Sequence, residues 1–152
     1  MPRLYIFYKR KNLLQCLVFL YLMLSGFSLV AQEYPFPMVL VVHHDNKTAD
    51  LNKNDVIDIY MGRFRTFPDG SPVDPVDFPV NSVERSSFYK KLVGKSEQKI
   101  NAYWSRLLFS GRAKPPRKAQ SKTDVINSIN VQTIAYIHLN DVTEEMKIVF
   151  EL

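Results

Sequence analysis

The chain has 152 residues, 46% apolar and 23% charged, with 9 Pro, 5 Gly and 1 Cys. That suffices for one core of ordinary size; it is too apolar for a disordered chain and too poor in glycine and proline for a fibrous one, and one cysteine excludes a disulfide-stapled mini-protein or a cysteine-based zinc site. The formal charge of +5 divides unevenly: residues 1–31 hold four basic side chains (Arg3, Lys9, Arg10, Lys11) and no acid, so the remainder, with 16 basic and 15 acidic residues, carries only +1 and makes no case for nucleic acid as a partner.

Met1 to Asn12 is basic, Leu13 to Val30 is mostly apolar, the small residues Ser28 and Ala31 follow, and polarity rises at Gln32-Glu33. This three-part pattern is that of a secretory signal peptide over 1–31, cut after Ala31. A second reading, an uncleaved anchor, also fits, because a mostly apolar stretch of 18 residues lies near the lower limit for a spanning helix. It is the one route to a membrane the sequence offers. Cys16 begins the apolar run, whereas a lipoprotein cysteine ends it. Residues 32–152 are then expected to be one periplasmic or secreted domain without cysteine, which suits an oxidising compartment.

Within that domain, Met38 to Val42 (MVLVV) is a short unbroken apolar run, expected to be a buried strand of the kind found in parallel sheets. Asn52 can cap a helix whose apolar face is Val56, Ile57, Ile59 and Tyr60, stopped by Gly62. Pro68, Asp69-Gly70, Pro72 and Pro75 make 63–75 a loop with a tight turn. Val76 to Val80 is a second strand. Ser82 opens a helix with Phe88, Leu92 and Val93 buried, broken at Gly94; Ser96-Glu97 opens another, with Ile100, Tyr103, Trp104, Leu107 and Leu108 on one side, closed by Gly111. Ala113 to Lys122 is a basic loop. Thr123 or Ser121 caps a short helix carrying Val125, Ile126 and Ile129, and strands Ile134–Ile137 and Lys147–Phe150 complete a β-α-β-α-α-α-β-β order, an α/β domain.

Charge is segregated. Residues 85–122 hold eleven basic side chains and the single acid Glu97, a balance of +10, while the rest of 32–152 has 5 basic and 14 acidic residues, or −9. A solvated helix surface and an electropositive face for an anion or acidic partner are both compatible with this. His43-His44 invites a metal reading, but neighbouring residues of a strand point to opposite faces, so the pair cannot chelate together in a strand, although His138 near the end of another strand could join one of them. No metal or cofactor is expected. Trp104 and Tyr103 sit at core spacing rather than as a base-stacking platform. No nucleophile elbow, Walker loop, metalloprotease helix or cysteine nucleophile is present, so no enzyme is expected.

Val41-Val42-His43-His44-Asp45-Asn46 followed by Leu51 to Arg63 (LNKNDVIDIYMGR) resembles the opening of the phosphate-binding proteins of bacterial ABC transporters. In that family a strand ends near an Asn, and a capped helix ends in an "Ile-Phe-x-Gly" block before an aromatic turn and Asp-Gly. Here the turn is Arg65-Thr66-Phe67-Pro68-Asp69-Gly70. Phe88-Tyr89, Gly94-Lys95-Ser96, Ala102 to Gly111 (AYWSRLLFSG), Pro115-Pro116 and Ile134-Ala135-Tyr136-Ile137 extend the likeness over nearly all of 38–149, as a short, single-lobe branch. The resemblance implies one lobe of a type II periplasmic-binding-protein-like fold, a mixed sheet flanked by helices. It also implies a small inorganic anion, phosphate or a similar oxyanion, as ligand, in ABC-type phosphate uptake or sensing.

The departures bear on the site. Family members have two lobes that close on phosphate, and one lobe fits here. Their phosphate loop is Ser-Gly-Thr at a helix start; Glu84-Arg85-Ser86 stands in that place, Glu84 would repel an anion, and Val131-Gln132-Thr133 replaces a "Pro-Gly". The candidate site is therefore Arg85 as a bidentate donor with the hydroxyls of Ser82 and Ser86 at a helix N-terminus, and Arg63 and Arg65 on the turn beside the same face. Arg85 as a surface arginine, and Arg63 and Arg65 as partners of Asp58 or Asp69, are the competing readings. Tight binding by one lobe would need a partner lobe or a homodimer. The alternative function is a cell-envelope adaptor that kept the fold and lost the ligand.

Overall fold

In the computed structural model residues 37–152 are described; the signal-peptide reading of 1–31 lies outside them. The apolar run forms β1 (Met38–His43), with Met38 to Val42 all buried. Its neighbours come from far along the chain: β4 (Thr133–His138) on one side and β5 (Met146–Glu151) on the other, both antiparallel, with a register shift against β5 between Leu40 and Val41. The sequence expectation of parallel pairing for this run is thus corrected. An unbroken apolar run reports that both faces of a strand are covered, and that holds for either direction of its neighbours.

The helix after β1 follows local chemistry. In α1 (Lys53–Tyr60) the Asn52 side chain accepts the amides of Asn54 and Asp55, while the Asp55 carboxylate takes the Asn52 amide at 2.9 Å, a capping box. Val56, Ile59 and Tyr60 are buried, and the Tyr60 hydroxyl reaches the carbonyls of Val76 and Ile134 at 3.2 and 3.1 Å. Gly62 ends the helix at φ 70°, where a Cβ would lie 2.7 Å from the Trp104 ring, so both backbone and space demand glycine.

β2 (Asp74–Asp77) starts two residues earlier than its apolar pattern suggests and stops at Asp77, because Phe78 gives its amide to the Tyr136 hydroxyl and Pro79 has none to give. β2 runs parallel to β4, and on its other edge the two residues of β3 (Arg117–Lys118) join it in parallel, a strand inside a stretch read from sequence as loop. The order is β3-β2-β4-β1-β5, a mixed five-stranded sheet. Four strands share one direction and β1 opposes them.

Helices α2 (Val83–Val93) and α3 (Glu97–Phe109) follow β2, and α4 (Lys122–Asn127) follows β3. Ser82 caps α2, Gly94 at φ 66° ends it, and Ser121 is the residue that caps α4. Phe88 of α2 stacks flat on Tyr136 of β4, centroids 3.8 Å apart, with Tyr60 edge-on at 4.7 Å. These rings knit α1, α2 and the sheet together. Among the described residues no helix is long and apolar enough to cross a membrane.

Candidate functional site

The common direction of four strands gives the sheet two unlike ends. Ligands of α/β sheets gather at the carboxyl ends of parallel strands, and here that end carries Asp77, the last residue of β2. Asp77 is buried, and its carboxylate is filled from three sides: Arg85 Nε donates to Oδ2 at 2.8 Å, the Tyr89 hydroxyl to the same oxygen at 3.1 Å, and the Tyr136 hydroxyl to Oδ1. Tyr136 then accepts the Phe78 amide at 3.1 Å.

Arg85 reaches this point because it lies on the inner stripe of α2 with Phe88, Tyr89 and Leu92, spaced i, i+3, i+4, i+7. It is only 1% exposed. Its Nη1 donates to Glu97 at the start of α3, and the guanidinium sits 5.3 Å from the Tyr89 ring centroid. The same Glu97 oxygen accepts the backbone amide of Asn81 at 2.7 Å. Asn81 adopts φ 68°, the left-handed turn that aims its amide there.

Burial pushes the Tyr89 and Tyr136 phenols well above their ordinary value, helped by the Asp77 charge; burial does the same to Tyr60, next to Tyr89 and Asp77. The phenols therefore stay protonated and donate. For Arg85, burial works to lower the pKa, but the Asp77 charge and the hydrogen bonds to both carboxylates outweigh it and hold the group above its usual value. The guanidinium is permanently charged and committed to Asp77 and Glu97.

The predicted site residues separate accordingly. Arg85 lies beneath the surface, with Nε bonded to Asp77 and Nη1 to Glu97. Ser82 Oγ accepts the Arg85 amide at 3.2 Å as the helix cap. Above Arg85, an open concavity of about 480 Å³ is lined by Asn81, Ser82, Ser86, Ser87, Lys90 and Glu97. Ser82 and Ser86 thus share a surface with Lys90, which sequence reasoning passed over; its position one helical turn beyond Ser86 was the available signal. Arg63 and Arg65 line other ground. Arg63 pairs with Asp58 at 2.7 Å, and Arg65 donates to the Lys114 carbonyl at 3.3 Å. Apart from Arg85, the ten basic side chains of 85–122 are exposed.

The structural feature that sequence reasoning missed is Glu97. A backbone amide and a guanidinium are the donors an oxyanion would take. Here a carboxylate of the chain itself takes them.

No family model matches the chain, and no curated protein matches it. Solved structures do. A phosphate ABC transporter substrate-binding protein with bound phosphate from Clostridium perfringens matches with TM-score 0.59 and 17% identity over 75% of this chain and 44% of its own. An ABC-type phosphate transport receptor from Vibrio cholerae gives TM-score 0.58 and 16% identity over 75% and 45%. PstS from Borrelia burgdorferi gives TM-score 0.54 and 14% identity over 75% and 46%. The α/β fold is that of these binding proteins, and the chain spans under half the length of each.

Proposed function

We propose that this chain is an exported, solute-binding-like protein of the phosphate-binding type, acting in ABC-linked phosphate uptake or sensing without catalysing a reaction. It takes phosphate or a similar small oxyanion at the concavity before α2, where Ser82, Ser86 and Lys90 supply hydroxyls and charge. Arg85 contributes its field from below, and its bonds only where Glu97 yields them. Arg63 and Arg65, on other ground, add only long-range attraction for the anion and do not ligate it. The observation that supports this is the likeness to phosphate-binding structures over three quarters of the chain, together with an open, hydroxyl-lined helix start. One lobe cannot close over a ligand, so tight binding would draw on a partner lobe or a second copy.

Calorimetric titration with phosphate and sulfate at low salt tests the reading. Heat is expected, weakened in Lys90→Ala and strengthened in Glu97→Gln, which removes the competing charge. No heat from millimolar anion in either the parent or Glu97→Gln, with both folded, overturns it.

The Glu97 contact also favours a second reading, an envelope adaptor that kept the fold and lost its ligand. The exposed Leu108 and Phe109, set among the basic Arg106, Arg112 and Lys114, are then the surface that holds a partner. A melting temperature indifferent to phosphate, with capture of a defined envelope protein that Phe109→Ser abolishes, would select it. The mass of the mature N-terminus distinguishes a cleaved, periplasmic or secreted form from an anchored one.

A further inference from the structure

At the opposite, amino end of the parallel strands β1 runs out at His43, and the chain turns at once. His44 is outside the strand, so the alternation that would send the two imidazoles to opposite faces no longer applies: their rings stack, centroids 4.4 Å apart and 29° from parallel. Asp45 follows. One donor atom from each of His43, His44 and Asp45 lies within 4.8 Å of the other two.

The hydrogen bonds fix which nitrogens face inward. A backbone carbonyl only accepts, so the contact of His44 Nδ1 with the Glu145 carbonyl at 3.2 Å puts a proton on Nδ1 and makes Nε2 the nitrogen free to ligate in the neutral ring. That nitrogen faces Asp45 Oδ1 at 3.3 Å. His43 Nδ1 accepts the Asp45 amide at a long 3.3 Å, so it presents a lone pair, 3.6 Å from Asp45 Oδ2. Two imidazole nitrogens thus face one carboxylate, a set of three donor atoms that a shared cation can hold together. A carbonyl that holds the far nitrogen is the arrangement that fixes the ring of a metal-bound histidine.

We propose that His43, His44 and Asp45 form a binding site for a divalent transition ion of the zinc and copper class, independent of the anion reading. Two imidazoles and one carboxylate suit that class, whereas calcium and magnesium call for oxygen donors. Bonds of about 2.0–2.2 Å in a tetrahedral set put ligand atoms about 3.3 Å apart, so three donor atoms within 4.8 Å of one another close on an ion by small rotations of the exposed His44 and Asp45. His43 gives up its long bond from the Asp45 amide in exchange for the ion. The exposed side chains of His44 and Asp45 leave the site open to an ion from solution, and solvent takes the remaining coordination position.

The test uses the chain without a polyhistidine tag, at about pH 7.5, above the ordinary imidazole pKa of about 6.5. Zn²⁺ and Cu²⁺ are titrated by calorimetry, with Mg²⁺ and Ca²⁺ as controls. One ion per chain is expected, Cu²⁺ tighter than Zn²⁺, with the controls silent. Losing a group that merely orients a metal-bound histidine costs about 10–100-fold, so His43→Ala, His44→Ala and Asp45→Asn should each weaken Zn²⁺ by at least tenfold on that scale. His44 and Asp45 are exposed on their side chains by 53% and 66%, so those two variants keep the fold, which thermal melting verifies. Absence of Zn²⁺ binding, or binding unchanged in His44→Ala and Asp45→Asn, overturns the proposal.

Discussion

The two ends of the sheet handle charge in opposite ways. At the carboxyl end Asp77, Arg85 and Glu97 are sunk among Tyr89 and Tyr136, and each acceptor meets a donor of the same chain. At the amino end His43, His44 and Asp45 are outward-lying, and two imidazole nitrogens face one carboxylate beside solvent. Internal satisfaction makes a charged cluster part of the scaffold; ligating atoms left beside solvent make it available to something from outside. A count of charged residues would have ranked the two ends the other way, since the basic segment lies at the carboxyl end, while His43 to Asp45 resemble an ordinary strand terminus.

Perturbations should separate the ends by size of effect. Arg85→Ala strands two carboxylates and should cost about 3–5 kcal/mol of stability, read by denaturant unfolding. A loss within the range of surface pairs, under about 1 kcal/mol, would break the contrast. Arg85→Lys should recover little of it, because a compact ammonium lacks the planar spread that lets Nε and Nη1 meet two carboxylates at once.

Alkali should act on the same end next. Phenols whose folded pKa is raised stay protonated after the unfolded chain has lost its protons, so the native state binds more protons and stability falls as pH climbs past about 10, the unfolded value. Melting temperature against pH, with tyrosinate absorbance alongside, should show late ionisation coinciding with unfolding. Early ionisation of all the tyrosines in a folded chain would contradict the buried network.

Gly62→Ala, between the two ends, should cost about 1–3 kcal/mol through crowding against Trp104. Asn52→Ala should cost about 1 kcal/mol from the lost cap. At the amino end His44→Ala should shift stability by no more than about 0.5 kcal/mol while removing Zn²⁺ binding. A large destabilisation there would make that end scaffold too, and the comparison would lose its other half.

Much of the fold was legible because local rules and tertiary packing agree. Asn52, Gly62, Ser82, Gly94 and Ser121 punctuate the helices where capping chemistry places them. What escaped was set from a distance. The direction of β1 depends on partners about a hundred residues away, and β3 is two exposed basic residues that only the edge of β2 makes into a strand. Arg85 shows the same limit inside the site. Its spacing from Phe88, Tyr89 and Leu92 announced an inward position, but a sequence does not say that Glu97, twelve residues on, lies within bonding distance. His43 and His44 were kept apart by the alternation of a strand that ends between them.

The central placement of β1 sets the order of assembly. It is the first strand of the described sheet, yet both of its neighbours are among the last segments, so neither flank can be covered until residues 133–151 are present. Loops of that length close slowly, and long-range pairing is what delays folding. Until then five adjoining apolar residues stay bare, a stretch that a chaperone would find open to grip.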